Sequence, residues 1–153
     1  DERRKEEVNI RNAVAIAFLA YAMLGVNASG DGGMTPPSAP YAAAVAEAKS
    51  VAASMSQGDR QILAGLFMGL SRAIKADAAS PAPVIATTDK LRAFNVASLN
   101  FVWRGYGENM AGKYPGLSAA VEKAISSTLG NEVKTLEVDK AVETMEALSW
   151  AFH

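Results

Sequence analysis

Asp59-Arg60-Gln61-Ile62-Leu63-Ala64-Gly65-Leu66-Phe67-Met68-Gly69-Leu70-Ser71-Arg72-Ala73-Ile74-Lys75-Ala76 places Ile62, Leu63, Leu66, Phe67, Leu70 and Ile74 at spacings of three and four. That period lines large apolar side chains along one side of an α-helix and does not fit the alternation of a half-buried strand. Asp59 is of the type that caps a helix, so the spacing predicts a helix from near Asp59 to about Ala76. It is the strongest core signal in the chain. Beside the stripe, Gly65 and Gly69 form a G-x-x-x-G pair, which lets a second backbone approach closely. Asp59, Arg60, Arg72 and Lys75 flank too short an apolar span for a membrane dimer motif, so a tight helix contact within a soluble domain is expected.

The segments on either side are also helical in pattern. Upstream, Pro40 to about Met55 is rich in Ala, with Ser38 placed to cap it and Pro40 in its first turn. Downstream, Asp77 to Pro83 reads as a break, because Pro81 and Pro83 bias the residues before them away from helix. Val84-Ile85 reads as a lone extended pair. A helix is then expected from Thr87 or Thr88 to about Arg104, with Leu91, Phe94, Ala97, Phe101 and Val102 on one side. Tyr114-Pro115-Gly116 predicts a turn. Leu117, Val121, Ala124, Ile125 and Leu129 predict a further helix stopped by Gly130. Val138, Val142, Met145, Leu148 and Phe152 predict the last one, over about Val138 to Phe152. No alternating strand pattern and no internal repeat is legible. The fold class expected is all-α, an Ala-rich bundle of about five helices over residues 41–153.

Composition agrees. Ala makes up about a fifth of the 153 residues, and aromatics only 7%, a balance that favours closely packed helices. The length is enough for a hydrophobic core without staples. Cysteine is absent, which removes disulfides, thiolate metal sites and a cysteine nucleophile, and fits either redox compartment. With 15 basic and 16 acidic residues, net charge −1, there is no broad positive field for a phosphate backbone, so nucleic acid is not an expected partner.

The N-terminal part is different in kind. A charged cap, Asp1 to Glu7, runs into the apolar stretch Ala13 to Val26, followed by Asn27 to Pro40 with its Gly, Pro and Ser. We divide the chain into a hydrophobic N-terminal helix (1–26), a flexible linker (27–40) and the helical domain (41–153). Asp31-Gly32-Gly33 lacks the alternating carboxylates of a calcium loop.

Three readings fit the apolar stretch. Its 14 residues rise about 21 Å as a helix, against a hydrocarbon core of about 30 Å, and runs of that length are more often covered by protein. A helix apolar on nearly every face would then be enclosed by its own domain or by other subunits through Ile16, Phe18, Leu19, Met23 and Leu24. Alternatively, residues 12–29, with Arg11 snorkelling, could cross a thin bilayer. In that case Arg3, Arg4, Lys5 and Arg11 precede the span and no Lys or Arg follows until Lys49, which puts the domain on the exterior or periplasmic side. The third reading is a secretory signal, with Val26-Asn27-Ala28 as a small-residue cleavage site, although its n-region holds as many acids as bases.

Chemistry is sparsely signposted. Trp103 to Gly116 is the longest Gly-rich stretch flanked by structure, and Gly107-x-x-x-x-Gly112-Lys113 matches the start of a P-loop. Tyr114 stands where Ser or Thr should hold magnesium, and a predicted helix precedes the stretch where a strand is required, so nucleotide hydrolysis is not expected. Trp103, Arg104, Tyr106, Glu108, Asn109 and Tyr114 instead form a candidate contact surface, since Trp, Tyr and Arg dominate binding hot spots. His153 is the only histidine, which leaves no histidine-based triad or metal site. The carboxylate pairs Glu143/Glu146 and Glu137/Asp139 read as solvated faces. Glu108 beside Tyr106 and Asn109 is the one candidate acid for a small hydrolase.

These readings give no catalytic residue, cofactor, metal or small-molecule substrate. The function expected is a non-enzymatic structural or assembly protein with protein partners or further copies of itself. A virion or envelope setting is expected over free cytoplasm.

Overall fold

The computed structural model describes residues 2–4, 35–81, 93–95, 109–129 and 135–153, with the backbone alone for 93–95 and 135–137. In chain order the elements are α1 (Ala39–Ala44), α2 (Ala46–Ala52), α3 (Gln57–Ala79), β1 (Ala93–Asn95), α4 (Leu117–Leu129), β2 (Thr135–Glu137) and α5 (Val138–Phe152). Residues 2–4 and 109–113 are also helical. The all-α class holds. Residues 13–26 and the divisions drawn around them lie outside the described residues.

α3 and α5 share the most extensive contact in the domain, and α4 closes the core against α1, α2 and α5. Leu63, Phe67, Leu70 and Ile74 of α3 are buried together with Leu117, Val121, Ala124, Ile125 and Leu129 of α4 and with Val142, Met145, Leu148 and Phe152 of α5. The rings of Phe67 and Phe152 stack with centroids 5.8 Å apart and planes inclined by 15°. The apolar patterns read for the last two helices therefore lie on the buried faces of α4 and α5, with Val138 half-buried at the start of α5. In the α3 stripe the outer members depart from expectation. Leu66 is half-buried, and Ile62 is 48% exposed, the one exposed large apolar side chain among the described residues.

Small hydroxyls join the helices inside this core. Ser149 Oγ donates to the Ala64 carbonyl at 2.7 Å, so a short side chain of α5 reaches the backbone of α3. Thr144 turns its hydroxyl to the Lys140 carbonyl at 2.7 Å and lies 2.9 Å from the Thr128 hydroxyl, which bonds back to Ala124 on α4. These bonds satisfy groups that would otherwise be costly to bury.

Four boundaries need correction. The helix expected over Pro40 to Met55 is two helices, divided at Val45 (φ −97°, ψ 6°) and ending at Ala52. Val45 is a β-branched residue of lower helix propensity, and it is buried at the break. Ser38 is the N-cap of α1 but makes no side-chain capping bond. α3 starts before Asp59: Ser56 is the N-cap, and its side chain accepts from the Asp59 amide at 3.2 Å. Two serines and an aspartate compete for that role by type alone, and an N-cap accepts from the amide two or three residues on. α3 also runs to Ala79, with Ser80 as C-cap, so Asp77 to Ala79 belong to the helix and the break begins at Ser80.

The fourth correction concerns the helix expected from Thr87 or Thr88 to Arg104. Ala93–Asn95 is a strand, paired antiparallel with Thr135–Glu137 in the register Ala93↔Glu137, Phe94↔Leu136 and Asn95↔Thr135. This three-residue ladder is the strand content of the described residues, and a pairing so far apart in sequence leaves no local periodicity to read. The turn at Tyr114-Pro115-Gly116 is present. Gly116 has φ +83°, a conformation that glycine takes without a Cβ penalty.

Candidate functional site

The N-terminal linker enters the domain beside a groove of about 570 Å³. Thr35, Pro36, Pro37 and Ser38 form one wall, with the two prolines holding the backbone extended. Tyr41 of α1 and Met68 of α3 face it, and Glu143, Glu146 and Ala147 of α5 complete it. Each helix contributes because of its period: Glu143, Glu146 and Ala147 lie within about one turn on a single face of α5.

The charge of the groove is negative. Glu146 accepts from Lys75 at 3.2 Å and from the Ser71 hydroxyl at 3.3 Å, which ties α5 to α3. Glu143 is exposed, and no Lys or Arg among the described residues pairs with it. Burial first, then the nearby Glu143 and Asp139 carboxylates, push the Tyr41 phenol up from its ordinary value.

A second polar cluster sits at the start of α3. Tyr114 donates its hydroxyl to the Asp59 carboxylate, and Lys113 Nζ lies 2.9 Å from the same oxygen. The Ser56 amide donates to the Tyr114 hydroxyl at 3.3 Å. The Tyr114 and Lys113 hydrogen bonds hold the Asp59 carboxyl down at about 2, and Asp59 in turn raises Lys113. This cluster anchors a helix start. A third contact, Lys49 Nζ 3.8 Å from the centre of the Trp150 ring, is a cation–π pair between α2 and α5.

Of the residues singled out from sequence, Ile16, Phe18, Leu19, Met23, Leu24, Trp103, Arg104, Tyr106 and Glu108 lie outside the described residues. Asn109 is exposed at the start of the helical turn 109–113. Tyr114 is half-buried and packs against the core, with its hydroxyl engaged at the α3 cap and not offered to a partner. Gly65 and Gly69 are buried in α3, and Gly65 directly follows Ala64, whose carbonyl Ser149 reaches. Sequence reading identified Glu143 and Glu146 as a pair but missed Tyr41, Met68 and the proline wall, which only tertiary packing brings beside them. Tyr41 had one local signal, as a lone aromatic in an Ala-rich helix.

Among the described residues no group of three or more His, Asp or Glu could hold a metal ion. No described helix is long and apolar enough to cross a membrane; residues 12–29 lie outside the described residues. No protein-family model, curated protein or solved structure matches the chain.

Proposed function

We propose that this chain is a non-enzymatic structural or assembly protein whose apolar segment 13–26 is buried in an oligomer or larger complex, of which a virion or an envelope assembly is one setting. The observation that carries the reading is a contrast. A segment that as a helix is apolar on nearly every face is tethered by a Gly/Pro linker to a helical domain whose large apolar side chains, among the described residues, are buried or half-buried except for Ile62. Such a segment inserted into a neighbour's groove follows helix-in-groove recognition. The non-enzymatic part is supported by the use made of the carboxylates. Asp59, Glu47 and Glu146 each pair with a lysine from another part of the fold, a structural role.

Sedimentation velocity of the full chain beside a Leu19→Asp variant tests this reading. An assembly well above the 16.0 kDa monomer that the substitution dissociates is expected. A monomer in both samples would overturn it.

The second reading, a single-pass anchor with an exterior or periplasmic domain, is favoured by one specific observation. All the basic residues near the segment precede it, at Arg3, Arg4, Lys5 and Arg11, and the next is Lys49.

A further inference from the structure

We propose that the groove between residues 35–38, Tyr41 and α5 binds a cation carried on an apolar stem, an alkylammonium or guanidinium group. The inference is independent of what covers residues 13–26.

The cavity of about 570 Å³ is within the range of about 300–1,000 Å³ usual for small-ligand sites. Its two carboxylates are not equivalent. Lys75 already neutralises Glu146, while Glu143 has no basic partner among the described residues. A groove with one uncompensated carboxylate in its lining attracts a single positive charge. Met68, Ala147 and Tyr41 also line it, and their apolar surface matches the methylene stem that lysine-like and arginine-like cations carry. Tyr41 and Glu143 line the same groove, so a cation paired with the carboxylate has an aromatic ring nearby, whose face attracts positive charge.

Other ligand classes fit less well. No Lys or Arg lines the groove, so an anion would find no counter-charge. A neutral apolar ligand would desolvate Glu143 without pairing it. A bare metal ion would need more donors than the described carboxylates bring together.

The test is titration calorimetry on the full chain with two probes, spermidine and a blocked tripeptide with one central lysine, in parallel with Glu143→Gln and Glu47→Gln. Glu143 is exposed, and circular dichroism checks that its variant folds. Saturable 1:1 binding of either probe, weakened about fivefold by Glu143→Gln as expected for a partly exposed charge pair and unchanged by Glu47→Gln, supports the site. Binding of spermidine alone identifies a free amine as the ligand, and binding of the peptide identifies a basic side chain. Equal weakening by both substitutions would mean diffuse counter-ion attraction and overturn the proposal. So would the absence of saturable binding into the millimolar range.

Discussion

Tyr114 donates its phenolic hydrogen to the carboxylate of Asp59, 55 positions earlier in the chain. The same hydroxyl accepts from the Ser56 amide at 3.3 Å, while Ser56 Oγ accepts from the Asp59 amide at 3.2 Å. In a capping box the third helical residue itself reaches back to the N-cap amide. Here Asp59 is in that position, and Tyr114 takes over the return bond. The start of α3 is thereby fixed to the turn that leads into α4.

Tyr114→Phe keeps the ring in the core edge and removes only the hydroxyl. The loss expected is about 1 kcal/mol, the net worth of a hydrogen bond in a folded protein. It is read as a lower urea midpoint with an unchanged slope, because the surface exposed on unfolding is the same. An unchanged midpoint would mean that water replaces the tyrosine at no cost.

Acid sensitivity should follow from the same cluster. The Asp59 carboxyl titrates at about 2 in the folded chain against 3.8 for an ordinary aspartate, chiefly through the Tyr114 hydrogen bond and then that of Lys113. A depressed carboxyl stabilises the fold fully above pH 3.8, and its contribution is lost as pH falls from 3.8 through 2. Urea midpoints measured across that interval should fall less steeply in Asp59→Asn than in the parent chain. Identical slopes would assign the acid transition to other carboxylates.

Phe152, at the end of α5, is fully buried and stacks on Phe67. Phe152→Ala should cost about 3–5 kcal/mol, as large-to-small changes at buried aromatics do. That is a large part of the 5–15 kcal/mol typical of a whole domain. Thermal unfolding of Phe152→Leu, expected to be much milder, distinguishes loss of packing from loss of the helix end. Equal effects of the two substitutions would contradict the stacking account.

Helices whose signal is local were legible. The residues that the period of three and four marked in α4 are all buried, as are Val142, Met145, Leu148 and Phe152 of those marked in α5, while Val138 is half-buried; Gly116 punctuates the chain where a positive φ is required. Features set by contacts distant in sequence were not. Val45 divides an Ala-rich stretch that looks uniform, and Ser56, not Asp59, caps α3 by accepting from the Asp59 amide. The pairing of Phe94 with Leu136 turned part of an expected helix into a strand. For the candidate groove, the sequence marked Glu143 and Glu146 but not their unequal status, because Lys75 and Ser71 come from another helix. Tyr114 was read as a contact residue from its type, and its hydroxyl is instead an internal hydrogen-bonding group.

We propose that protein, and not lipid, covers Ile16, Phe18, Leu19, Met23 and Leu24. Flotation of the full chain with liposomes, in a high-salt buffer that suppresses attraction between surface charges, tests this. The chain is expected to remain in the dense, vesicle-free fraction. Flotation with the vesicles, abolished by Leu19→Asp, would contradict it and establish the segment as a membrane anchor.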